Sequence, residues 1–261
     1  MNAHVIAETS DGVLTLTLNR PEKKNALTRA MYQALGDAID GAEFDKDVRC
    51  VLIQAEGDMF TAGNDLADFA AVNAGEGAAN DARRDGNPLL AALARAKTPL
   101  VAAVNGRAVG VGVTMLLHCD LVYLTEDSVL TTPFVNLALV PEAASSLTLP
   151  DRIGHARAFS MFVLGEAVDA QKALAWGIAN EVLPRSELRA RARAAAMAVA
   201  ARPPAAVIIT KALMRDPVAL AERMDREGVH FSDQLKSPEA KEAFAAFAEK
   251  RAPDFAKVGG R

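Results

Sequence analysis

The first regular pattern along the chain is Val13-Leu14-Thr15-Leu16-Thr17-Leu18-Asn19, where large aliphatic residues alternate with threonine. A repeat of two predicts a β-strand, because successive side chains on a strand point to opposite faces. The period then changes. Thr28 supplies a hydroxyl suited to a helix N-cap, and Met31, Leu35, Ala38, Ile39 and Ala42 follow on one helical face. Together they predict a helix ending near residue 42. Short runs rich in valine, isoleucine and alanine at 48–55 and 99–105 predict strands buried on both faces, and 121–124 predicts a fourth. Strands alternating with helices in this order indicate an α/β layered core.

Residues 73–87 break the pattern. Gly75, Gly77 and Gly86 stand among alanines and alternating charges with no apolar period, the composition of a surface loop suited to act as a lid. Beyond Pro184 the chain is nearly all helix formers, and prolines divide it into predicted helices at 188–202, 205–214, 217–235 and 238–251. The organisation expected is a core over 1–185 and a helical C-terminal region over 186–261.

Composition narrows the class. The 261 residues are 51% hydrophobic and 24% charged, with a net charge of −4, enough chain for a large buried core and too acidic to favour nucleic acid as a partner. Cys50 and Cys119 are too few for a disulfide framework or a four-cysteine zinc site, and His4, His118, His155 and His230 are scattered, so no metal is expected. The longest uncharged run, 128–141, contains two prolines and is shorter than the roughly 20 apolar residues of a membrane helix. The start of the chain has no basic segment followed by an apolar block, so a cytoplasmic location is expected, with no membrane partner.

Two glycine-bearing loops carry the candidate chemistry. Gly106-Arg107-Ala108-Val109-Gly110-Val111-Gly112 follows a predicted buried strand and precedes a predicted helix at 113–118. It is not a dinucleotide fingerprint, because Met115 stands where the third glycine belongs. Two readings remain, tight strand-to-helix packing or a site where backbone N–H groups meet an anion. Phe60-Thr61-Ala62-Gly63-Asn64-Asp65-Leu66 is a second such turn, with Asp65 placed to cap a short helix from Leu66. Paired, the loops would set two N–H groups around one oxygen, the arrangement that holds an enolate or tetrahedral oxyanion. The Gly-x-Ser-x-Gly elbow of many hydrolases is absent, which favours proton transfer beside a carbonyl and calls for a base. Glu142, between the apolar stretches 129–141 and 143–150, is either that base with a raised pKa or an ordinary acidic residue after Pro141 at a helix start. His118 and Asp120 read as structural, Tyr123 and Trp176 as core.

Asn19-Arg20-Pro21-Glu22-Lys23-Lys24-Asn25-Ala26-Leu27, the 60–66 loop, the segment 99–120, Leu174-Ala175-Trp176-Gly177-Ile178-Ala179 and Phe247-Ala248-Glu249-Lys250-Arg251 occur in an order that resembles the crotonase (enoyl-CoA hydratase/isomerase) superfamily across essentially the whole chain. The resemblance implies a spiral of ββα turns, a helical C-terminal region that builds homotrimers or homohexamers, and an acyl-CoA thioester substrate, with no bound cofactor beyond the coenzyme A that the substrate carries. It maps the oxyanion N–H groups to Asn64 and Val111, the latter beside Gly110. It lays the CoA moiety along Lys23, Lys24, Ala62, Asp65, Leu66 and Ala67, with Lys250 matching a lysine that in some relatives reaches a neighbouring subunit's CoA. Phe134 would face the substrate.

The departures discriminate within the family. Hydratases of this kind carry two glutamates, and Thr114 and Phe134 occupy those positions here. Neither residue can deprotonate water, so two acid–base contributions of roughly 10²–10⁴ each are missing. Thr132-Pro133-Phe134-Val135-Asn136-Leu137-Ala138-Leu139-Val140-Pro141-Glu142 is instead similar to the peroxisomal-type Δ3,Δ2-enoyl-CoA isomerases, which place their single catalytic glutamate where Glu142 stands. The expected reaction is therefore conversion of a 3-enoyl-CoA to a 2-enoyl-CoA. The alternatives are a hydratase whose second group comes from Asp68 or the 73–87 loop, and a catalytically reduced acyl-CoA-binding subunit.

Overall fold

The alternating run forms β2 (Val13–Leu18), and all six of its residues are buried, threonines included. The reason is that both faces of the sheet are covered. Leu14, Leu16 and Leu18 join one core with Val51 and Ile53, while Val13, Cys50 and Leu52 join a second core on the opposite face. The computed structural model describes residues 3–65 and 87–258. Residues 73–86 of the expected 73–87 lid, the short helix after Asp65, and Leu66, Ala67 and Asp68 lie outside the described residues.

The main sheet runs β1 (Val5–Ser10), β2, β3 (Cys50–Ala55), β4 (Leu100–Val104), β6 (Leu121–Thr125) and β9 (Glu181–Leu183). β1 pairs antiparallel with β2, and every later pair is parallel. A second sheet joins β5 (Arg107–Val109), β7 (Val129–Thr131) and β8 (Val168–Asp169). These three are strands of two or three residues, too short to show a period. With α1 (Arg29–Ala42), α2 (Pro88–Arg95), α3 (Val111–Thr114), α4 (Ser145–Ile153), α5 (His155–Phe159) and α6 (Ala170–Ala175) between the strands, the fold is α/β as expected.

Thr28 caps α1 by accepting the Met31 N–H, and Met31, Tyr32, Leu35, Ile39 and Ala42 form its buried face. Gly36 is needed there: a Cβ would come within 2.8 Å of the Pro88 backbone of α2. The C-terminal helices are α7 (Arg185–Ala200), α8 (Pro204–Met214), α9 (Pro217–Leu235), α10 (Pro238–Ala248) and the single turn α11 (Phe255–Val258). They follow the expected segmentation closely. α7 starts one turn earlier than its apolar pattern, because it begins directly after Pro184 and lays Leu188, Ala192, Ala195 and Ala196 on the second face of the main sheet. Tyr123 is buried in that core, as read from the sequence, whereas Trp176 packs on the edge of the first core and stays partly exposed, with Arg157 over its ring at 5.0 Å.

Candidate active site

β3 delivers the chain into the first loop. Phe60 and Thr61 are fully buried, and the Thr61 hydroxyl donates to the Asn25 carbonyl at 2.7 Å while accepting the Gly63 N–H at 3.0 Å. Gly63 has φ +88°, and a Cβ there would meet the Val109 carbonyl oxygen at 2.9 Å. Both facts demand glycine. The Gly63 carbonyl accepts from Leu27 N–H and the Leu27 carbonyl from Asp65 N–H, which pins the backbone on either side of Asn64. The Asn64 side-chain oxygen accepts from the Tyr32 hydroxyl of α1.

The second loop leaves β4 and pairs with the first. Val109 N–H donates to the Thr61 carbonyl at 3.1 Å, and Thr61 and Ala108 form a parallel bridge. Gly110, at φ 56°, turns the chain into α3, so the helix starts at Val111 rather than at 113 and passes into a 3-10 turn over Met115–His118. Gly112 sits inside the helix because a Cβ would lie 2.4 Å from Thr61 Cγ2. The glycines therefore serve packing and turning together, drawing the Asn64 and Val111 loops against each other. Among the described residues, neither the Asn64 nor the Val111 backbone N–H has an acceptor.

Glu142 approaches from the other side. Its Oε1 accepts from the Thr114 hydroxyl at 2.6 Å, and the same hydroxyl lies 3.4 Å from the Val111 carbonyl. The carboxyl is thus bonded to the residue that lies one helical turn after Val111. Pro141 does not open a helix; α4 starts at Ser145, and Glu142 lies on the turn before it. That turn places Ala143 and Ala144 at φ 60° and 55°, left-handed conformations that cost an alanine about 1–2 kcal/mol each. Glu142 keeps a partial opening to solvent, yet burial of its carboxyl pushes the pKa up to about 7. The Thr114 hydrogen bond opposes that shift and the Glu227 charge adds to it. A carboxyl titrating there is matched to base work near neutral pH.

The remaining expected residues that are described fall at three places. Ala62 N–H donates to the Lys24 carbonyl at 2.9 Å, so Lys24 and Ala62 are adjacent, while Lys23 is exposed beside them. The Lys24 ammonium pairs with Asp58 at 2.9 Å, and the Asp65 carboxylate pairs with Arg20 at 2.6 Å. Phe134 is buried, its ring centroid 6.0 Å from that of Phe162, just before the 3-10 turn Val135–Leu137. Lys250 is exposed beyond α10, a helix that packs on that turn and on α9. Tyr32, Glu227 and His118 also stand at the site, none of them expected there from the sequence, which marks His118 only as structural. A usable signal existed for two. Tyr32 falls on the buried face of α1, and Glu227 falls on the stripe of α9 that holds Leu220 and Met224.

Comparison with known proteins identifies the family and the fold. A family model described as enoyl-CoA hydratase/isomerase matches residues 8–258. Enoyl-CoA delta isomerase 2 of Rattus norvegicus is 37% identical over 81% of this chain, which spans about half (54%) of the length of that relative. An enoyl-CoA hydratase of Alternaria alternata is 32% identical over 97% of this chain and 86% of its own. Among solved structures, an enoyl-CoA hydratase/isomerase from Pseudoalteromonas atlantica T6c superposes with a TM-score of 0.89 at 42% identity, covering 97% of this chain and 99% of that one. The chain belongs to the enoyl-CoA hydratase/isomerase family, whose crotonase fold it shares.

Proposed function

We propose that the protein is a Δ3,Δ2-enoyl-CoA isomerase in which Glu142 alone moves the proton. The observation that carries this reading is the environment of Glu142: one carboxyl with its pKa raised to about 7, bonded to a threonine where a family hydratase would hold one of its two glutamates. Phe134, at the other hydratase position, is buried against Phe162.

In this mechanism the Glu142 carboxylate removes a proton from C2 of a 3-enoyl thioester. The C–H electron pair spreads through the C3–C4 double bond and the carbonyl to give a dienolate. The Asn64 and Val111 N–H groups receive its oxygen, an interaction worth about 3–4 kcal/mol per donor in comparable sites. Glu142 then returns the proton to C4, leaving the double bond between C2 and C3. Nothing is oxidised or reduced, so one carboxyl and two donors suffice. The CoA moiety is proposed to lie along Lys23, Lys24 and Ala62, where Lys24 must trade its Asp58 partner for phosphate.

The test is turnover of trans-3-hexenoyl-CoA and trans-2-hexenoyl-CoA by the wild type and by Glu142→Gln. Conversion of the 3-enoyl to the 2-enoyl ester, lowered at least about 10³-fold in the variant, is the expected result. Hydration of the 2-enoyl ester that survives in Glu142→Gln overturns the reading in favour of a hydratase. Binding of both esters without turnover would favour an acyl-CoA-binding subunit.

A further inference from the structure

We propose that Glu227, reaching in from the C-terminal helix α9, is a positioning residue that holds the turn carrying Glu142 and faces its carboxyl with a like charge. The proposal rests on the reading of Glu142 as the base. α9 turns one face inward, and Leu220 and Met224 on it pack with Ala94 and Ala144. Glu227 occupies that same face and is only 6% exposed. A carboxylate is costly there unless it is fully bonded.

Its bonds explain why it is kept. One oxygen, Oε2, accepts the Ala144 N–H at 2.6 Å, and Oε1 accepts the Ser146 N–H at 2.9 Å. These groups open α4, where no intrahelical acceptor exists, and the Ala144 cap position offers no side chain of its own. On the opposite side, His118 Nε2–H donates to the Ala143 carbonyl at 2.8 Å. That carbonyl and the Ala144 N–H belong to one peptide group. It is therefore gripped at its oxygen by His118 and at its nitrogen by Glu227. The plane of that peptide fixes ψ of Ala143 and φ of Ala144, the left-handed pair that follows Glu142.

The His118 grip is itself secured. Nδ1 accepts from the Arg215 guanidinium, and burial followed by the Arg215 charge holds the pKa down at about 3, so the ring stays neutral with its proton on Nε2. The groups facing Glu142 are thus Thr114 from α3, neutral His118 through Ala143, and Glu227 from α9. Burial raises the Glu227 carboxyl above the usual carboxylate range, while its bonds from Ser146 and Ala144 and the charge of Arg223, which reaches the Ser146 hydroxyl at 3.3 Å, hold it toward the charged form. Among these, Glu227 adds to the rise in the Glu142 pKa and Thr114 opposes it. A residue that merely capped α4 would affect stability and leave the titration of Glu142 where it is.

The experiment is a carboxyl titration by difference infrared spectroscopy of the full-length protein, with Glu142→Gln identifying the Glu142 band. In Glu227→Gln the Glu142 midpoint should fall by roughly half a pH unit or more as the like charge is lost. The kcat for the 3-enoyl ester should fall by roughly 10–100-fold as the turn loosens, with KM little changed. An unmoved midpoint with wild-type kcat in the folded variant overturns the proposal. Hydrogen exchange of the wild type decides the matter should Glu227→Gln not fold. The Ala144 and Ser146 amides should be protected like the rest of α4, and exchange at open-turn rates overturns the proposal. If the wild type turns over no 3-enoyl ester, the isomerase reading fails while the titration still decides the role of Glu227.

Discussion

At the scale of single residues, burial sets the charge on Glu142 and Thr114 tempers it. Its hydroxyl hydrogen bond stabilises the carboxylate and lowers a pKa that burial and Glu227 raise. As the proposed base, Glu142 works only when deprotonated, so kcat/KM for the 3-enoyl ester should rise with pH through about 7 and level off above it. Thr114→Val keeps the shape and removes the bond. Its acid limb should move to higher pH, the direction opposite to Glu227→Gln, and a pH–rate profile of the two variants checks both signs. In the sequence Glu142 was legible as a lone carboxylate between apolar runs, and its two readings stood open. What removed the helix-start reading was where α4 begins, which depends on two alanines in left-handed conformations held by distant side chains.

At the scale of elements, the two glycine loops act as one unit because their backbones touch. Gly112→Ala would drive a Cβ into Thr61, itself fully buried and bonded to Asn25 and Gly63. Overpacking of this kind costs about 1–3 kcal/mol. Denaturant unfolding should report that loss, and kcat should drop with it, since the displaced atoms carry both the Asn64 and the Val111 loops. The long elements were legible from period alone: α1 with its Thr28 cap, the buried strands, and the proline-bounded C-terminal helices. β5, β7 and β8 were not, because two or three residues cannot display a repeat. The start of α3 was missed for a related reason. Gly110 and Gly112 look alike in the sequence, yet one turns the chain and the other lies inside a helix against Thr61.

At the scale of the whole molecule, α8 stands out. Lys211, paired with Asp120 at 2.8 Å, is its buried residue, while Ile209, Leu213 and Met214 are 58%, 83% and 81% exposed. A helix so apolar on its outer side calls for cover, and a further copy of the chain is the occupant the family resemblance implies. Light scattering is expected to give the mass of a trimer or hexamer, and Leu213→Asp with Met214→Asp to shift it toward the monomer. A monomeric wild type would exclude this assembly.

The sequence by itself determined the alternation of strands and helices, the two glycine turns, and the isolation of one carboxylate in an apolar stretch. These are properties of neighbours along the chain, and period and local chemistry report them directly. Only the tertiary structure decided that the two turns touch, that Thr114 bonds Glu142, and that Glu227 and His118 clamp one peptide beside it. A carboxyl's pKa and aim depend on the groups and solvent around it in space. Glu227 stands 83 residues from the Ala144 N–H it holds, a distance across which no local pattern carries information.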